Sequence, residues 1–478
     1  MTARLLMIAL DSADGRLLEE WIVAGALPNL AALSARGTVK RLTAPVGTTD
    51  DGLWASFQYG IPVGEHGRYH YRIQLSTGKF GMAHIEEGDR NPFWRNLANQ
   101  GLRVAVLDVP KCSTPRPLNG IHLVDWLVHG RYFHEPRSYP PSLATEVVER
   151  FGPAPPSHCG YHQELLSDED VIEIVGNLRT SVAKKRAAGL CYLAAEPWDL
   201  FVIGFKEAHC AGHGLWNFVD VRHTDYDPTG NVRLGGPVRT IFGDLDAAVG
   251  ELVTCAGPGA EVVVFSTSDM EPNGTLDHLM PEIVNHLNRC LCERHASRLT
   301  RALRKTLGNL AAATYPCCRV LPYNDNCGAL RLRHSGAYRD AAWRDRVLQE
   351  IETMLQELTD ADTGKPVVTS FARPASDHRG TKASTLPDLL IRYRTNAFPR
   401  AVVSSQLGRI EAEPSRMRPG NHATGGLLIA AGSTVARLFD NVDSLEDFAL
   451  LANGVLDTGT QVLMSDRRRR SGMFLEEC

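Results

Sequence analysis

Short apolar runs recur along the chain, each bounded by turn residues and each followed by a longer stretch in which apolar positions repeat at helical spacing. The runs at 5–10, 104–107, 200–204, 262–266 and 427–431 are apolar at consecutive rather than alternate positions, which predicts strands buried on both faces. The intervening patterns predict helices over 17–36, broken at Pro28, and over 92–100, 168–195, 241–255 and 342–358. Such alternation predicts an α/β fold with a largely parallel central sheet covered by helices on both faces. From about 290 to 385 the composition turns to Arg, Cys, Asn and Asp and the strand signals weaken, so an inserted, cap-like region is expected within a single domain spanning 1–465. The four-arginine run near the end predicts a basic, flexible tail over 466–478.

Composition narrows the function. The chain has 478 residues, 43% of them hydrophobic, and 51 Lys+Arg against 55 Asp+Glu give a net charge of -4. That length suits an α/β enzyme with insertions, and the balanced charge argues against nucleic acid or a membrane surface as partner. No apolar run reaches the length of a membrane span. The first run is too short for a secretion signal and ends at Asp11. The eleven cysteines are odd in number and lack paired C-x-x-C knuckles, so reduced thiols and a cytoplasmic location are expected. Cys290-x-Cys292-x-x-His295 has the look of a metal clip but sits in an Arg-rich helical stretch and reads more simply as a helix face.

Ligands of open parallel sheets gather beyond the carboxyl ends of the strands. Asp11 follows the first strand directly. After the 200–204 strand come Lys206, Glu207, His209 and His213, with two imidazoles four residues apart and thus on one face of any helix that starts there. Asp269 follows the 262–266 strand, and His422 lies in a glycine-rich turn before the 427–431 strand. Taken singly, each has a plain reading: Asp11 as a helix cap, His422 as a solvated turn residue, the histidine pair as a structural pair. Their common placement at strand ends predicts a single metal-bearing cleft.

The segments Ile8-Ala-Leu-Asp11-Ser-Ala-Asp-Gly, Ala26-Leu-Pro-Asn-Leu, Thr48-Thr-Asp50-Asp-Gly-Leu-Trp54 through Gly60, Pro62-x-x-x-His66-Gly67, Glu207 to Trp216, Leu386-Pro-Asp388 and Gly420-Asn-His422 together resemble the alkaline phosphatase superfamily, in particular its type I phosphodiesterase and nucleotide pyrophosphatase branch. The resemblance implies an α/β/α sandwich, two divalent ions bridging a phosphoryl group, Asp11 as a metal ligand, and a nucleophile at the start of a helix.

Three departures qualify it. The nucleophile position falls on Asp50 rather than on a hydroxyl residue, with Thr49 one step earlier, and Asp50 is open to either role, nucleophile or metal ligand. His209 replaces an aspartate ligand, so that with His213 and His422 it makes a three-histidine set suited to Zn2+. The branch's later Asp-His pair falls on Thr267-Ser268, leaving Asp269 as the candidate to join Asp11 and Asp50 in an oxygen-rich second site for Mg2+ or Mn2+. Glu207 is a candidate general acid or base, Lys206 and Arg68 are candidate substrate contacts, and His66, Trp54 and Trp216 read as turn and packing residues. The expected function is metal-dependent hydrolysis or transfer on a small phosphorylated substrate. The alternatives are a single-metal relative with changed chemistry on another ester or anhydride, and a non-catalytic scaffold for a phospho-ligand or partner.

Overall fold

The computed structural model describes residues 2–45, 48–74, 80–82, 90–127, 135–156, 166–298, 317–333, 340–414 and 418–457; the expected basic tail lies outside them. Its central element is an eight-stranded sheet. Five neighbours, Glu261–Ser266, Ala3–Leu10, Trp198–Phe205, Val104–Leu107 and Gly120–Val124, run parallel. Leu427–Ala431 and Thr38–Arg41 close one edge and Arg137–Tyr139 the other, all antiparallel to their neighbours. The late strand at 427–431 is therefore where expected but reversed in direction.

The first strand shows why its run is continuous. Leu6, Ile8 and Leu10 enter the apolar core on one face of the sheet, and Leu5, Met7 and Ala9 enter the core on the other. The first core is covered by the helices Asp168–Ala195 and Pro237–Ala256, the second by Asp50–Tyr59, Phe93–Asn99 and Phe448–Val455. The long helix begins at Ser167, whose hydroxyl and the Asp170 carboxylate cap one another's backbone amides. Pro28 divides the first helical pattern into Gly15–Val23 and Pro28–Ala35, taking the first turn of the second helix, where its missing N–H leaves no bond unmade.

A third apolar core gathers residues from Leu276 to Ile410 in a second lobe, wider than the 290–385 insertion expected from composition. Around it the strands Cys317–Leu321, Cys327–Arg333, Leu389–Tyr393 and Val368–Ala372 form an antiparallel sheet, backed by the helices Met280–His295 and Ala341–Gln356. The suspected metal clip is dispersed here: Cys290 bonds the Gln406 carbonyl, Cys292 is buried beside Cys317, and His295 meets Glu350 at 3.1 Å. No disulfide occurs among the described residues, and no helix among them is long and apolar enough to cross a membrane.

Candidate metal centre

Sheet register brings the strand ends together. Leu10 pairs with Phe205 on one side and Ser266 on the other, so Asp11, Lys206 and Thr267 emerge side by side. The helix Glu207–Leu215 starts at that edge and turns His209 and His213 to the same side. The ribbon Asp269–Pro272 with Gly420–Ala423 stands beyond the sheet and carries His422 opposite Met270. A β-carbon on Gly420 would lie 2.0 Å from the Gly212 carbonyl oxygen, so only glycine permits the backbone contact that seats the ribbon against the histidine helix.

The three imidazoles of His209, His213 and His422 are buried, with ring centroids 4.5, 4.6 and 4.7 Å apart, and their nitrogens converge closely enough to share one ion. His213 Nδ1 lies 2.9 Å from the Gly420 carbonyl, a bond that puts its proton on Nδ1 and leaves Nε2 as the acceptor. His422 Nδ1 is 3.3 Å from the Ser268 hydroxyl. Burial holds His213 well below the usual imidazole range, and the nearby Arg418 guanidinium, 3.2 Å from Nε2, adds to that.

A second, overlapping group consists of Asp11, Asp50 and His209. Asp11 Oδ1 accepts from the Trp54 indole at 3.0 Å and from the Thr267 hydroxyl at 3.1 Å, and its Oδ2 lies 3.1 Å from His209 Nδ1. Asp50 opens the helix Asp50–Tyr59, whose N-terminal dipole favours its charge. Lys111 pairs with Asp50 Oδ2 and with Asp51 at 3.2 Å. Asp50 Oδ1 is buried without a hydrogen-bond partner, which a cation shared with Asp11 would satisfy. The two carboxyls titrate in opposite directions. Burial pushes Asp11 up, but His209, Lys111 and Trp54 outweigh it and hold it below the usual range; burial raises Asp50 above that range, with Asp11 adding to the rise and Lys111 opposing it. Lys111 itself is pressed down by burial yet held well above the ordinary lysine value by Asp50, Asp51 and Asp11.

Five expected site residues make their contacts elsewhere. Asp269 accepts from the Gly15 amide at 2.9 Å and pairs with Arg41, so its carboxylate is engaged away from the cluster. Lys206 turns beneath the sheet edge to Asp108, 3.0 Å away, rather than toward substrate. Glu207 is fully buried, accepting from the Ser181 hydroxyl and near Lys185. The Thr49 hydroxyl donates to the Tyr69 carbonyl, and the next residue, Asp50, stands in the second ligand group. Arg68 lies over the Tyr59 ring, 5.2 Å from its centroid. His66 is a turn residue as expected: its Nδ1 accepts from the Arg68 amide and its Nε2 meets Ser56, with burial pulling it down to about 3. Trp54 packs in the core but also steadies Asp11, and Trp216 bonds Asp220 at 2.9 Å. Thr267 and Ser268, which replace an expected ligand pair, brace Asp11 and His422.

Sequence reading missed Lys111 and the turn Asn324-Asp325-Asn326. Lys111 lies just past the Val104–Leu107 strand, where inspection of strand ends would have found it. The turn comes from the second lobe: Asn324 donates to Asp51 at 3.1 Å, and Asn326 donates to Glu271 at 2.7 Å while accepting from Asn421 at 3.0 Å. Between them Asp325, in the left-handed region at φ 67, keeps a buried Oδ1 without a partner, and burial with nearby Asp50 pushes its pKa up to about 8.

A helix-covered, largely parallel sheet with these side chains beyond its carboxyl edge has the α/β/α architecture of the alkaline phosphatase superfamily. The family model described as type I phosphodiesterase / nucleotide pyrophosphatase matches residues 5–394, and the chain belongs to that family of phosphoester hydrolases. Among solved structures, phosphonoacetate hydrolase from Sinorhizobium meliloti 1021, in complex with phosphonoformate, shares the fold with a TM-score of 0.53 at 13% identity, over 95% of this chain and 96% of that one. Human ectonucleotide pyrophosphatase / phosphodiesterase 5 superposes with a TM-score of 0.47 at 12% identity, over 95% of each chain. No curated protein matches the sequence.

Proposed function

We propose that the protein is a divalent-metal-dependent hydrolase of small phosphate esters, with Zn2+ held by His209, His213 and His422. The observation that carries this reading is the convergence of three buried imidazoles beside the buried carboxylates Asp11 and Asp50, from four separate segments of the chain. Neutral nitrogen donors suit zinc, and the ion would supply Lewis-acid stabilisation of the charge that develops on the phosphoryl oxygens. Asp50 is the candidate nucleophile: its Oδ1 attacks phosphorus, the alcohol departs, and water hydrolyses the resulting acyl phosphate. Asp11 stays ionised beside it, and Lys111 fixes the other Asp50 oxygen. Arg418, next to His213, is a candidate contact for the substrate anion.

Two observations favour a second reading in which only one ion binds. The ligand pair of the related branch is replaced by Thr267 and Ser268, and Lys111 already brings a positive charge to Asp50. Metal analysis of the purified chain, together with hydrolysis of a nitrophenyl phosphodiester, tests both. About one equivalent supports the one-ion version, and two support a second ion at Asp11 and Asp50. A folded chain that takes up no divalent ion sinks the metalloenzyme reading altogether.

A further inference from the structure

A second polar cavity lies away from both ligand groups, where the helix Phe93–Asn99 meets the strands Val104–Leu107 and Gly120–Val124. Arg90, Arg95 and Arg116 line it, and the described residues that line it include no carboxylate. Arg90 pairs with Glu65 at 3.7 Å. Arg95 is the informative residue. Its Nε and Nη1 are both shut off from solvent and bond no protein group, and the indole nitrogen of Trp94 and Nε2 of His122 are in the same state. Trp94 and His122 are 1% and 4% exposed, so these groups cannot satisfy themselves in bulk water. Arg95 as a whole is partly exposed, but two N–H groups of a cation shut off from water without a partner are unfavourable, and their fork matches the oxygens of a small oxyanion. Ser113 and Thr114 complete the lining with hydroxyl groups.

We propose that this cavity is a second anion site, which binds a small inorganic oxyanion of the phosphate or sulfate type through Arg95, independently of the metal centre. The loop between Leu107 and Gly120 that brings Lys111 to Asp50 also contributes Ser113, Thr114 and Arg116 to this cavity, so the two sites share a wall but no ligand.

Calorimetric titration of the full-length chain with inorganic phosphate, with a chelator present so that bound metal contributes nothing, tests the proposal. The wild type and His213→Ala should bind phosphate alike, and Arg95→Leu should weaken binding about tenfold or more. If Arg95→Leu does not fold, Thr114→Glu, which places a carboxylate in a partly exposed part of the lining, should abolish binding. No binding by the chelated wild type overturns the site. So does unchanged binding by a folded Arg95→Leu or Thr114→Glu chain, or loss of binding in His213→Ala. A chain that binds phosphate here but takes up no metal keeps this site while refuting the proposed metalloenzyme.

Discussion

The histidine end and the carboxylate end of the cluster meet at His209, yet they are held by opposite means. At the histidine end the supports are neutral: the Gly420 carbonyl on His213 and the Ser268 hydroxyl on His422. At the carboxylate end the main support is charged, with Lys111 against Asp50 and Asp51, while Asp11 faces the His209 imidazole. Neutral ligands leave the charge of a bound cation undiminished, whereas at the other end the Lys111 ammonium already offsets part of the charge of Asp11, Asp50 and Asp51. Ion retention is therefore expected to depend on the first end, and the reactive group and much of the local stability on the second.

The hardest test of that division is His213→Ala. It should weaken metal retention by about 100-fold or more and remove phosphodiester turnover with it, while the circular dichroism spectrum is kept; metal analysis after dialysis reads the result. Asp50→Ala should do the reverse, keeping the histidine-bound ion while turnover falls by roughly 10²–10⁴-fold, against less than about tenfold for Thr49→Ala. Equal losses from the two variants would remove Asp50 as the candidate nucleophile. Lys111→Met leaves Asp50 and Asp51 buried without their cation and should destabilise the fold by about 3–5 kcal/mol in urea unfolding, with Lys111→Arg much milder.

The smallest effect concerns pH. Because burial and Arg418 depress His213, its imidazole stays unprotonated as pH falls through about 6.5, so metal should be released only below that point. Arg418→Ala removes a neighbouring positive charge, makes protonation easier, and should raise the release midpoint by less than about one pH unit. Metal retained equally by both variants at every pH would contradict this account of His213.

Legibility in the sequence followed position along the strands. Asp11 emerges directly from a continuous apolar run, and His209 and His213 begin the next helix at helical spacing, so backbone geometry alone aims them. Asp269 and Lys206 sit at equally good strand ends, but their side chains are claimed by distant partners. Arg41 comes from the edge strand Thr38–Arg41, and Asp108 from just past the end of the neighbouring strand Val104–Leu107. Local pattern carries no information about such partners. Glu207 shows the same limit, since its burial depends on Ser181 and Lys185 of the long helix. The reversal of Leu427–Ala431 was equally hidden, because a fully buried strand has the same composition in either direction. The Asn324 to Asn326 turn arises in the stretch with the weakest periodic signal, and only tertiary packing brings it to Asp51 and Glu271.

That turn bears on how freely the second lobe can be exchanged. Asn324 and Asn326 stitch the lobe to the catalytic half at the cluster's own border, through Asp51, Glu271 and Asn421. A chimera that swaps the lobe at its composition boundaries but omits these two asparagines would unfasten the ribbon bearing His422. The lobe is thus not a detachable module, and grafting it to retune specificity requires carrying both asparagines across.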